Sequence, residues 1–133
     1  FQFFFYDVEL TNPLGSKVKI HEIGNFSYMI LNIPPLDKSS LKNIFPFAIV
    51  KTNHLKVYGF DFVIEEFMKE IKVLESEEGM LLDIKHRPGF RVHGTIVTLC
   101  ADMKGAHEIG GFMSPSATSF CRLCDIKRPD IRN

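Results

Sequence analysis

An α/β fold built on a mixed sheet is what this sequence predicts, and three observations carry the prediction. Three apolar, β-rich runs, residues 3–10, 24–33 and 44–51, follow one another with turn or loop segments between them. One long segment, residues 61–76, then changes to a helical period. A further β-rich run, residues 92–101, comes after that helix. Non-helical links between the first three strands imply an antiparallel meander. A helical connection before the fourth lets it return parallel to the first.

The elements follow in order. Residues 3–10 (FFFYDVEL) are aromatic and lack a helix period, which reads as a buried strand. Thr11, Asn12, Pro13, Leu14, Gly15 and Ser16 form a turn cluster. The second strand, GNFSYMILNI, is stopped by Pro34 and Pro35, and residues 38–41 read as polar loop or a short helical turn. Pro46 inside the third strand, IFPFAIVK, requires an edge position or a bulge, because proline has no amide hydrogen to give to a ladder. In the helix, Phe60, Ile64, Phe67, Ile71 and Leu74 are the predicted buried face, with Glu66 and Lys69 outside. Gly79 closes it. Residues 80–84 suggest a short strand and residues 86–89 (HRPG) a turn. Asp102 ends the fourth strand, and a short helix runs to about Ile109 before Gly110 and Gly111 break it.

The totals bound the function. With 133 residues the chain makes one domain, and a chain this size buries roughly two thirds of its unfolded surface. It is 45% hydrophobic and 24% charged, which excludes disorder. Sixteen basic and 16 acidic residues cancel, so no global field draws it to nucleic acid, and any DNA contact rests on local patches or on further parts of a longer protein. Two such patches are Lys17, Lys19 and His21, and Lys85, His86, Arg87, Arg91 and His93; ordinary solvated surface is the alternative for each. No helix-turn-helix, zinc-finger or aromatic–basic pattern for base readout is present. The chain opens on Phe1, as a processed chain or a piece of a longer frame would. Its short apolar start is neither a membrane span nor a signal peptide. Three cysteines argue against a disulfide scaffold and for an intracellular location.

The candidate chemistry lies at strand ends. Asp7 and Glu9, two apart on one strand, share a face, and Asp102 ends the fourth strand. If those strands are neighbours, about 4.8 Å apart, their carboxylates can converge on a hard divalent cation. Two such ions about 3.5–4 Å apart activate an attacking oxygen and stabilise a leaving oxygen on phosphorus. The competing reading makes Asp102 the N-cap of the helix that follows it. Glu9 can simply face solvent, whereas Asp7, after four aromatic residues, is costly to bury unless paired or metal-bound. Cys121 and Cys124 have the spacing of half a zinc site, a closed site needing four ligands. Cys100, inside an apolar strand, reads as a buried small hydrophobe, and His107 as solvent-facing or packed.

Five blocks in order, residues 6–17 (YDVELTNPLGSK), 26–35 (FSYMILNIPP), 56–75 (KVYGFDFVIEEFMKEIKVLE), 94–112 (GTIVTLCADMKGAHEIGGF) and 120–124 (FCRLC), resemble transposase-derived proteins of animal genomes. More distantly, they are similar to CACTA-type plant transposases. The resemblance covers nearly the whole chain. It implies a partial ribonuclease-H-like catalytic domain over residues 1–133, incomplete at its C-terminus, with the start of a Cys-rich segment at 120–133. It also implies a DDE triad in which Asp7 is the first aspartate, with Glu9 in reserve, and Asp102 the second. The third acid is unmatched: Asp125 and Asp130 lie too close to the cysteines. The implied cofactors are Mg2+ or Mn2+, with Zn2+ at the cysteines, whose further ligands in the resembling proteins lie downstream. The implied partner is DNA, through the full-length protein, with no membrane; the implied location is nuclear or otherwise intracellular. Such a chain cleaves and joins DNA strands only with its missing parts.

Two other functions fit the same residues. A retained, non-catalytic interaction domain needs no third acid. A haloacid-dehalogenase-type phosphatase would use Asp7 as nucleophile, Glu9 for the proton and Asp102 for magnesium, but its usual second acid is aspartate and a helix, not a strand, should follow the turn.

Overall fold

The structure, a computed structural model, describes residues 1–10, 21–38 and 40–132. The turn cluster at 11–16, Lys17 and Lys19 lie outside the described residues.

Strand β1 (Gln2–Glu9) pairs antiparallel with β2 (Glu22–Met29), and β2 pairs antiparallel with β3 (Ile44–Lys51). Two helices follow, α1 (Thr52–Tyr58) and α2 (Asp61–Glu75), then a small hairpin of β4 (Met80–Leu82) and β5 (Phe90–Val92). Strand β6 (Thr98–Ala101) returns beside β1 and parallel to it, and leads into α3 (Met103–Ile109). The main sheet is therefore mixed, in the order β3-β2-β1-β6. The predicted meander and parallel return are both present.

Pairing limits decide where the strands end. The predicted second strand extended to Ile33, but β2 stops at Met29, which pairs with Gln2 on β1 and Ile44 on β3. Pro46 answers its prediction twice over. β3 is an edge strand, and its register against β2 slips between Phe26 and Ser27, leaving Phe47 without a facing residue. That bulge sends Phe47 to α2, its ring centroid 4.8 Å from that of Phe67.

The predicted fourth strand, residues 92–101, is in fact two pieces in different sheets. Val92 is captured by Met80 in the small hairpin, and only Thr98–Ala101 joins the main sheet. Between them the backbone answers to other partners: Gly94 N–H donates to Leu74 C=O at 3.1 Å, and Val97 N–H to Phe1 C=O at 2.9 Å. The Phe1 ammonium donates to Thr95 C=O at 2.6 Å, so the start of β1 is tied to this connection.

The core lies between the meander and α2. Phe3 and Phe5 alternate on one face of β1, and Phe5 stands opposite Phe26 on β2. These rings are buried with Leu55 of α1 and Val63, Phe67, Ile71 and Leu74 of α2. Phe3–Phe67 and Phe5–Phe26 centroids are each 4.8 Å apart, in tilted contact. The predicted helix face is thus rotated slightly. Phe67, Ile71 and Leu74 are buried as expected, Val63 joins them, and Phe60 and Ile64 are only half-buried; Glu66 and Lys69 are exposed. Gly59, at φ 80°, ends α1 with its N–H on Leu55 C=O and lets the chain restart as α2 after one further residue. Gly24 lies under Leu55 so closely that a Cβ there would stand 2.6 Å from Leu55 Cδ1.

Candidate functional site at the ends of β1 and β6

Alternation along β1 puts Asp7 on the same face as Phe3 and Phe5, just past the aromatic row. Its side chain keeps only 18% of its exposure, and its oxygens have separate partners. The Thr52 hydroxyl, at the start of α1, donates to Oδ1 at 3.2 Å. The Lys104 ammonium, on α3, stands 3.5 Å from Oδ2. A partly buried charge is thereby paired, as the sequence required of Asp7.

Asp102 follows β6 directly. Ala101 pairs with Phe5, so Asp102 leaves the sheet level with Tyr6, one residue short of Asp7 on the neighbouring strand. The two aspartate positions therefore stand at the same end of adjacent parallel strands. Their carboxylates, however, have different partners. Asp102 caps α3, its Oδ1 accepting from Gly105 N–H at 2.6 Å while its carbonyl accepts from Ala106 N–H at 2.9 Å. The tight packing of Gly105 explains why α3 starts so close to the sheet: a Cβ there would be 2.7 Å from Phe5 Cδ1. Glu9 is half-buried rather than turned out to solvent, and sits opposite Glu22 at the far end of the β1–β2 pair.

Lys104 and Glu108 were not singled out by sequence. Lys104 Nζ lies 3.5 Å from Glu108 Oε1 as well as 3.5 Å from Asp7 Oδ2, so one cation joins two carboxylates from β1 and α3. Partial burial works against the ammonium, but the Glu108 and Asp7 carboxylates outweigh it and hold its pKa above the ordinary lysine value. The four-residue spacing of Lys104 and Glu108 was the available signal; the partner on β1 was not visible in sequence. Beside this cluster is a cleft of about 330 Å³ lined by Thr52, Leu55, Lys56, Phe60, Lys104 and Glu108.

The cysteine pair is a second, separate feature. Cys121 and Cys124 hold their sulfurs 3.2 Å apart as free thiols, and Leu123 N–H donates to Cys121 Sγ at 3.4 Å. The Leu123 amide, then the Cys124 thiol and amide, stabilise the Cys121 thiolate; with the nearby Arg122 charge they lower its pKa. Two thiols folded on one turn suit a soft metal, but among the described residues no three His, Cys, Asp or Glu side chains gather to hold an ion. Cys100 corrects its prediction. It lies on the edge strand β6, exposed, with Gln2 Nε2 donating to its sulfur at 2.7 Å. His107 is buried on α3, its Nδ1 paired with Met113 C=O.

His21, Lys85, His86, Arg87 and Arg91 are all exposed. Arg91 is engaged locally, donating to the carbonyls of Glu78 and Gly79 at 3.0 and 3.2 Å. Among the described residues no helix is long and apolar enough to cross a membrane. Compared with known family models, curated proteins and solved structures, the chain gives no match.

Proposed function

We propose that this chain is part of a ribonuclease-H-like catalytic domain of a transposon-derived DNA transposase, and that alone it is inactive in DNA cleavage. The observation that carries the reading is the parallel return of β6 beside β1, with Asp7 and Asp102 at the same end of those two strands. That arrangement, after an antiparallel meander and a helical connection, is what the resemblance to DDE transposases requires of its first two acids.

Asp7 is the residue that would hold Mg2+ or Mn2+, through Oδ2, and Asp102 would contribute only after giving up part of its cap on α3. Oxygen donors suit these hard cations, and with two carboxylates the remaining positions would go to water. The cation would supply Lewis-acid activation of water or of a DNA 3′-hydroxyl. Cys121 and Cys124 would form half of a zinc site, completed by ligands elsewhere in the full-length protein. DNA is the proposed partner, through that full-length protein, and the nucleus the proposed location.

A non-catalytic interaction domain is the second reading. It is favoured by the same carboxylates being satisfied without metal: Asp7 by Lys104 and Thr52, Asp102 by the α3 amide.

Titrating Mn2+ into the chain and into Asp7→Asn and Asp102→Asn, while following binding and plasmid nicking, separates the two. Weak binding, reduced by Asp7→Asn, with no efficient nicking, is the expected result. Binding unchanged by both substitutions rejects the transposase reading in favour of the second. Efficient nicking by the unsubstituted chain, lost in both variants, rejects the claim that it is inactive alone.

A further inference from the structure

We propose that the turn carrying Cys121 and Cys124 is a thiol–disulfide exchange site: the folded chain presents the two sulfurs as a pair that reduces a small soluble disulfide and closes a disulfide of its own. The inference goes beyond the transposase reading and concerns the pair with no metal on it.

Three features of the geometry lead to it. The sulfurs already stand 3.2 Å apart, with the Cys124 thiol donating to Cys121 Sγ, so a bond between them needs little travel. Leu123 N–H donates to the same sulfur at 3.4 Å, so both donors of the turn converge on Cys121, the surroundings that favour a sulfur nucleophile. Access is open: Cys124 is exposed, Cys121 is half-buried, and Leu123 between them is 95% exposed. The loop is also closed at its base. Arg128 N–H donates to Thr118 C=O at 2.8 Å, and its guanidinium donates to Pro115 C=O at 2.5 Å and lies 5.5 Å over the Phe120 ring. Both cysteines fall within residues 118–128, which lie outside the buried aromatic core, so a new bond there leaves that packing alone.

The exchange takes two steps. Cys121 gives its proton to solvent and attacks one sulfur of the small disulfide. That S–S bond breaks, a mixed disulfide forms on Cys121, and the first small thiolate leaves and takes up a proton. Cys124 then loses its proton and attacks Cys121 Sγ, which expels the second small thiolate. The two cysteine sulfurs lose two electrons between them, and the small disulfide gains two electrons and two protons to become two thiols. Cys100 cannot take part as the second sulfur: it lies on β6, with Gln2 Nε2 donating to it at 2.7 Å. It serves as the single-thiol control.

Oxidised glutathione is the probe, added to the whole chain in an oxygen-free buffer containing a metal chelator. Reduced glutathione is held at about 0.1 mM, below the millimolar effective concentration of even a flexible short link. Trypsin cuts after Arg122, between the two cysteines, and after Lys104, which releases Cys100. An internal disulfide is therefore read as two peptides held together in a chain whose intact mass is that of a monomer. Linked peptides are expected to exceed glutathione adducts on Cys121 and Cys124 by about tenfold or more. Cys124→Ser, which lacks the second sulfur, is expected to keep glutathione on Cys121 instead. In urea the ratio of linked peptides to adduct should fall severalfold, because the closed loop is lost. If the unsubstituted chain collects glutathione as Cys124→Ser does, with no linked peptides, the sulfurs do not act as a pair and the proposal falls. It falls equally if neither cysteine reacts while Cys100 does. If urea leaves the ratio unchanged, the fold contributes nothing to the pairing, and the site is overturned as a property of the structure.

Discussion

The meander with α2 and the segment from β6 onward are held by different forces. In the first, Phe3, Phe5, Phe26 and Phe67 are each at most 6% exposed, and their rings touch across two layers. In the second, Leu99, Met103, Phe112, Met113 and Leu123 are all at least 41% exposed. Ala106 is buried there and Ala101 and Ile109 pack against the core, but beyond them order comes from polar links: the Asp102 cap, the Lys104 bridge, His107 on Met113, and Arg128, whose guanidinium donates to Pro115 C=O at 2.5 Å. Apolar burial is cooperative and tolerates little change, whereas single polar links in partly wet surroundings contribute modestly and can be exchanged for ligands. The candidate chemistry sits where one region meets the other.

Substitutions should expose that contrast. Phe67→Ala removes a ring in contact with Phe3, Tyr28 and Phe47, and is expected to cost about 3–5 kcal/mol in chemical denaturation. A loss below about 1 kcal/mol, the size of a surface change, would mean the core is not organised around α2. Asp102→Ala deletes only the cap of a seven-residue helix, and should cost about 0.5–2 kcal/mol, with Asp102→Asn restoring most of it. If the alanine variant loses as much as Phe67→Ala, the polar segment is as cooperative as the core and the contrast collapses. The smallest effect on folding belongs to the cysteine turn. Alkylation of Cys121 should leave the denaturation midpoint unchanged, yet its rate should reach half-maximum at a pH below that of a free cysteine peptide, because the lowered pKa raises the thiolate fraction at neutral pH. A midpoint at or above the peptide's would remove the Leu123 amide as the cause.

The same contrast explains what was legible in the sequence. Strand β3 has its predicted bounds, and α2 differs from its prediction by one residue, because bulky apolar residues at a regular period leave one solution. Pro46 announced an edge or a bulge and delivers both. The run at 92–101 misled because its apolar character is continuous while its partners are not: Met80, Leu74 and Phe1 each claim a different part of it. Helix α1 was missed, since its seven residues bury only Thr52 and Leu55 and show no period. Asp7 and Asp102 could be placed at strand ends from pattern alone. Which way their carboxylates turn depended on Lys104, Thr52 and the Gly105 amide, contacts 45 to 97 residues distant for Asp7 and local for Asp102. Cys100 was misjudged because hydrophobic neighbours in sequence do not reveal that β6 is an edge.

The bulge at Phe47 has an outcome beyond the core. A sheet can polymerise only if both margins accept a new strand, one to add and one to be added to. Here the β3 margin is spoiled by a residue without an amide hydrogen and by the slipped register beside it, while the β6 margin is short but regular. The proline that complicates one strand thus also makes that margin a poorer template for a further strand.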